Sequence, residues 1–210
     1  MNLLFQLIGL GLLAGMAATA AAQDAAAHEV ILMRHGDKDS KRGDYNLSPA
    51  GFQRALALAR LIPACFGKPS GITTFELDPR SSKNARSYQS AVPLGVVTGV
   101  NIRIAEGSLR DSFGIGQRLR QARADQDSRT VLFWEHRRMP ELARGLGWGA
   151  MPPIADNDFD QMIVFRFAAP GAVPEVTTYR QSELFRRSCF LNATTPWSVP
   201  PMASFTPQQP

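Results

Sequence analysis

The sequence predicts a three-layer α/β sandwich with a mainly parallel central sheet. Three observations predict it. Short strand-like runs alternate with segments of helical apolar spacing through most of the 210 residues. The clearest strand candidates are almost continuously apolar, as strands buried on both faces are. Two of them, in "VILMRHGDKD" and "TVLFWEH", stop abruptly on a histidine, His35 and His136. In such sheets ligands bind beyond the carboxyl ends of the strands.

Taken in chain order, residues 1–22 read as a secretory signal peptide. Leu3 to Met16 is apolar, small residues follow, and Ala20-Ala21-Ala22 supplies a small-x-small cleavage site. No Lys or Arg precedes the apolar core, so an uncleaved membrane anchor is the alternative, although the apolar part is shorter than the ~20 residues a span needs. Val30 to Met33 is the first strand. Ser48-Pro49 then opens a helix, with serine as cap and proline at the first helical position. Phe52, Leu56, Ala59 and Leu61 carry its periodicity, and Pro63 is expected to end or bend it. "ITTFEL" is a second strand, and a helix starts near Asn84. "NIRIAE" is a third strand, followed by a helix bearing Ile115, Leu119 and Ala122. Thr130 to His136 is a fourth strand. The short helix in "RMPELARGLG" is stopped by Gly147. "DQMIVFRF" and "VTTYRQ" supply a last core strand and an edge strand. One domain over 28–191 and a Pro-rich tail over 192–210 follow from this pattern.

Hydrophobic residues make up 44% and charged residues 20% of the chain, as in ordinary globular proteins. The formal net charge of +5 favours anionic ligands at long range, but no block of like charges marks a nucleic-acid tract, and no nucleic-acid partner is expected. The histidines are His28, His35 and His136, and no Cys/His spacing suggests zinc; neither metal nor cofactor is expected. "GIG" in "SFGIGQRL" lacks the context of a dinucleotide fingerprint. Phe165, Phe167, Phe185, Phe190 and Trp134 read as core. Cys65 and Cys189 either pair, closing a long loop at a gain on the order of 4–5 kcal/mol, or remain two buried thiols.

Arg34-His35-Gly36 carries the chemistry. The guanidinium fork matches phosphate oxygens. A neutral imidazole is a good nucleophile towards phosphorus. Gly36 lets the backbone bend and approach an anion. Arg86, near the start of its helix, could clamp the same phosphate, and His136 could stabilise charge during transfer.

Several segments, in order, resemble the histidine phosphatase superfamily, which includes the phosphoglycerate mutases. "VILMRHGDK" resembles its first-motif strand and loop. "LSPAGFQRALALARLI" resembles its "L-T-x-x-G-x-x-Q-A" helix through Leu47, Gly51, Gln53 and Ala55. "RSSKNARSYQSA" resembles the segment with the pocket arginine and "Q-T-A". "VLFWEHRRMPELARGLG" resembles the surroundings of the second histidine. The resemblance implies a phosphoglycerate mutase-like fold, phosphorylation of His35, and a pocket completed by Arg34, Arg86 and His136. Arg137 stands where mutase-like members carry glycine and others aspartate. The proton donor therefore stays open among Asp111, Glu135 and Glu106. Asp111 lies where mutase-like members carry a glutamate. Strand alternation aims Glu135 to the opposite face unless its strand has already ended.

The expectation is thus an exported, periplasmic or secreted phosphatase that hydrolyses small phosphomonoesters, with no stable membrane insertion after signal cleavage. A mutase is disfavoured by export. The rivals are a catalytically weak phosphate-binding or interaction module of the same fold, and a phosphoprotein phosphatase.

Overall fold

The computed structural model describes residues 28–39, 43–122 and 128–194. The expected signal segment and nearly all of the Pro-rich tail lie outside the described residues. No helix among the described residues is long and apolar enough to cross a membrane.

Six strands form one sheet: β1 (His28–Arg34), β2 (Gly71–Phe75), β3 (Ile102–Ala105), β4 (Arg129–Trp134), β5 (Gln161–Phe167) and β6 (Glu175–Arg180), in the order β3-β2-β4-β1-β5-β6. β1, β2, β3 and β4 are parallel, and β5 runs antiparallel to both β1 and β6. The helices are α1 (Pro49–Phe66), α2 (Ala85–Thr98), α3 (Ser112–Gln121), α4 (Met139–Gly145), α5 (Gln181–Leu184) and α6 (Ser188–Leu191).

All seven residues of β1 are buried, which is why its sequence shows no polar alternation. Its side chains still alternate between faces. Val30 and Leu32 join Ile115 of α3 and Met139, Leu142 and Ala143 of α4 on one side. Ile31 and Met33 join Leu58, Ala59 and Ile62 of α1 and Ala91 and Leu94 of α2 on the other. The expected three layers are therefore present. The chain steps outward from β1 to β2 to β3 and then returns to β4. A constant crossover hand then sends α1 and α2 to one face and α3 to the other.

Pro63 lies inside α1 rather than ending it. The proline removes one helical N–H, but the buried face of Leu58, Ala59, Leu61 and Ile62 runs across it, and Gly67 N–H closes the last turn on the Pro63 carbonyl at 3.2 Å. β4 ends at Trp134, two residues before the expected end. The helix before Gly147 splits into a 3-10 turn, His136–Arg138, and α4. α3 and α4 meet at glycines: a Cβ on Gly145 would lie 2.1 Å from the Phe113 carbonyl oxygen, and one on Gly116 2.4 Å from that of Leu142. α5 and α6 were not anticipated. Cys65 and Cys189 are disulfide-bonded, tying the end of α1 to α6, and the Arg60 guanidinium lies 3.9 Å above the Phe190 ring.

Candidate active site

β1 and β4 are neighbours, with Arg34 opposite Trp134 in the register. The connections leaving them travel in opposite directions across the sheet, to β2 and to β5, over opposite faces. A crevice opens at such a switch point, and His35 and His136 follow directly on these two strands.

His35 is buried, with its N–H 3.3 Å from the Trp134 carbonyl. Its Nδ1 lies 2.7 Å from the Gly36 carbonyl oxygen. A carbonyl only accepts, so the neutral ring donates from Nδ1 and keeps its lone pair on Nε2. Burial pushes the imidazole down to about 3, against its bond to Gly36, and the charges of Arg34 and Arg86 and the ring of His136 push the same way. The ring is therefore neutral near pH 7, the state a nucleophile requires. The loop that holds it is pinned on two sides. Gly36 N–H donates to Ser90 Oγ at 2.9 Å, and that hydroxyl donates to the Arg86 carbonyl at 2.8 Å. On the other side the loop presses on the start of α1, where a Cβ on Gly51 would lie 2.2 Å from the Asp37 carbonyl oxygen. The glycines at 36 and 51 are thus required by close backbone approach.

Arg34 is 2% exposed. Its Nη1 donates to the carbonyls of Ala155, Asp156 and Asp158 at 3.1, 2.9 and 3.0 Å, and Phe159 packs 4.0 Å from its guanidinium carbon. Among the described residues, Nε and Nη2 are buried without an acceptor. Burial brings the guanidinium down to about 10, against the nearby Glu135, Asp156 and Asp158, so it stays charged near neutrality. Two buried, cationic donors without partners are an expense that an anion's oxygens would remove.

His136 is buried beside them. Its Nε2 lies 2.5 Å from Asp156 Oδ1, and its Nδ1 lies 3.0 Å from Glu135 Oε1, in a direction that makes no hydrogen bond. Because β4 ends at Trp134, Glu135 belongs to the turn and is freed from strand alternation. Its carboxylate accepts from Arg137 N–H at 3.0 Å and Arg137 Nε at 2.9 Å. Burial lowers the His136 imidazole, against its bond to Asp156.

Arg86 stands in the first turn of α2 and reaches the 44–46 loop, donating to the carbonyls of Asn46, at 2.7 Å, and Asp44. Among the described residues it forms no ion pair with a carboxylate, and its charge acts on His35. Asp111 caps α3, accepting from Gly114 N–H at 2.7 Å, with Arg118 at 4.0 Å. Among the described residues it contacts none of Arg34, His35, Arg86 or His136. Glu106 lies exposed in the turn after the edge strand β3.

Sequence reasoning missed Ser90 and Asp156. Ser90 lies inside "YQSA", and its hydroxyl at the Thr position of the "Q-T-A" that the segment resembles is the available signal. Asp156 belongs to "ADNDFDQ", whose three aspartates directly precede a core strand. Because β5 is antiparallel to β1, that loop arrives at the rim where β1 ends, with Met162 opposite Met33. Asp158 and Asp160 hold it there: Arg180 reaches both, at 2.9 and 3.1 Å, and Arg54 bridges Asp160 to Asp37 at 3.3 and 2.7 Å.

No protein-family model and no curated protein matches the chain. Solved structures do. The protein histidine phosphatase SixA complexed with tungstate superposes with a TM-score of 0.53 at 11% identity, over 74% of this chain and 99% of that one. A mycobacterial glucosyl-3-phosphoglycerate phosphatase gives a TM-score of 0.49 at 15% identity over 73% and 99%. The phosphoglycerate mutase of Plasmodium falciparum gives 0.49 at 12% over 73% and 91%. The architecture seen in SixA, laid over nearly all of that protein's length, is the one described above: the chain has the histidine phosphatase, phosphoglycerate mutase-like fold.

Proposed function

We propose that this chain is a phosphatase that hydrolyses phosphomonoesters through a phosphohistidine on His35. One observation carries the reading: a buried, neutral imidazole whose Nε2 makes no hydrogen bond among the described residues sits next in sequence to an arginine with two buried donors unpaired among them. In the first step His35 Nε2 bonds to phosphorus as the ester oxygen leaves. In the second, water displaces the imidazole and releases phosphate. Arg34 and Arg86 hold the phosphoryl oxygens, and His136 donates to them from Nδ1, the ring nitrogen that makes no hydrogen bond among the described residues, as charge shifts.

Export to an oxidising compartment belongs to the same proposal. The Cys65–Cys189 bridge supports it, since such bridges persist outside the reducing cytosol. So does the apolar, small-residue N-terminus. A phosphoprotein substrate is the second reading, favoured by the fold shared with SixA.

The test is turnover of p-nitrophenyl phosphate, glycerol phosphate and a phosphohistidine peptide by the wild-type chain and by His35→Ala. Turnover that disappears in the variant supports the phosphatase. Phosphate binding without turnover of any ester would instead support a non-catalytic phosphate-binding module.

A further inference from the structure

We propose that Asp156 is the acid–base residue of this site, sharing one proton with His136 and delivering it to the leaving oxygen. The proposal rests on the phosphatase reading above and names the proton donor that reading lacks.

The geometry singles out this carboxylate. Asp156 Oδ1 is 2.5 Å from His136 Nε2, short enough for a single shared proton. The Asp156 main chain is held on Arg34 by its own carbonyl and by those of Ala155 and Asp158, so the loop is fixed to a phosphate-binding residue. The side chain itself is 85% exposed, so a leaving group arriving from solvent can meet it. Of the other candidates, Asp111 caps a helix, Glu135 is locked by two bonds from Arg137, and Glu106 lies exposed in the turn after the edge strand β3. Charged and titratable groups acting on the pair are Arg34 from β1, Glu135 and Arg137 beside His136, His35, and Lys38 from the loop after His35.

Neither partner holds the proton firmly. Burial lowers the His136 imidazole, and the bond to His136 lowers the Asp156 carboxyl. The two titrate as a unit. With Nδ1 of His136 carrying the ring proton, the transferable proton is a second one, held between His136 Nε2 and Asp156 Oδ1. The negative charge of a seated phosphoryl group raises both groups and keeps this proton on the pair, and when it sits on Asp156 the imidazole is left neutral. As the His35 Nε2–phosphorus bond forms and the ester P–O bond breaks, the alkoxide takes this proton and leaves as an alcohol. The pair is then one proton short. Water attacks phosphorus, the N–P bond breaks, and the water proton returns to Asp156. One ester and one water become one alcohol and one phosphate.

The experiment compares two leaving groups in the full chain and in Asp156→Asn, with Glu135→Gln alongside. The readout is kcat/KM, which reports on phosphoryl transfer to the enzyme. p-Nitrophenolate leaves without a proton, whereas an alkoxide does not. We expect Asp156→Asn to lower kcat/KM for glycerol phosphate by about 10²-fold or more, and for p-nitrophenyl phosphate by less than about 10-fold. A burst of p-nitrophenol should accompany it, because the water step loses its base. An equal fall on both esters would mean a positioning role and would overturn the proposal. So would no fall on either, or a leaving-group-selective loss in Glu135→Gln alone. A wild-type chain that hydrolyses neither ester overturns the phosphatase reading and this role with it.

Discussion

Replacing Cys65 and Cys189 together by alanine removes a bridge between positions 124 residues apart. In the chain-entropy picture, a loop of that length constrains the unfolded state by about 5 kcal/mol at 25 °C. Both cysteines are half-buried, so truncation itself adds about 1 kcal/mol at most. A domain of this size has a total stability of about 5–15 kcal/mol, so the bridge is a large share of it. With a urea dependence of about 2 kcal/mol per molar, the midpoint should fall by roughly 2–3 M. Equilibrium urea unfolding of the oxidised wild type and the double variant measures this directly. The native site should be spared. Cys65 lies fourteen positions beyond Gly51 along α1, about 21 Å at 1.5 Å per residue. Turnover without denaturant should therefore be equal in the two proteins. A midpoint shift below about 0.5 M would refute the reasoning, as would loss of activity in the folded variant.

Further outcomes follow from the same geometry. Ser90→Ala removes the hydroxyl between Gly36 N–H and the Arg86 carbonyl, leaving a buried donor without a partner; kcat/KM should fall about 10-fold, and Ser90→Thr should restore it. His28 and His35 are both lowered in the folded chain, so each binds its proton less readily there than in the unfolded chain, where a histidine titrates at about 6.5. The unfolded state then binds more protons as pH falls below about 6.5, and stability is lost from there downward, for His35 until about 3. Urea midpoints measured from pH 7 to 4 should decline, and His35→Gln should flatten the decline by up to about 1.4 kcal/mol per pH unit.

Much of the architecture was legible because it rests on local patterns. β1 is apolar throughout because both its faces are covered, and Ser48-Pro49 marks the start of α1 as its cap bond to Gly51 shows. His35 and His136 could be placed at one rim because strand ends are readable from where apolar runs stop. Strand direction was harder to read. A mainly parallel sheet puts the loop before a strand at the far rim. β5 is antiparallel to β1, which brings the Asp156 loop to the near one. That reversal depends on which strands pair, and no local signal encodes it. That Pro63 does not end α1 has a related reason: the packing that holds the helix together across it comes from β1, α2 and β4, remote in sequence. Asp111 looked catalytic by its place in a motif, whereas the helix beginning one residue later gives it a capping bond.

The central claim is that phosphorus bonds to His35. The direct measurement is to mix the wild-type chain with p-nitrophenyl phosphate, quench it under non-acidic conditions within the first turnovers, and locate the added phosphate by mass spectrometry of its peptides. The account predicts an acid-labile phosphate on His35, absent from His35→Ala. A phosphorylated residue elsewhere, or turnover that persists in His35→Ala, would contradict it.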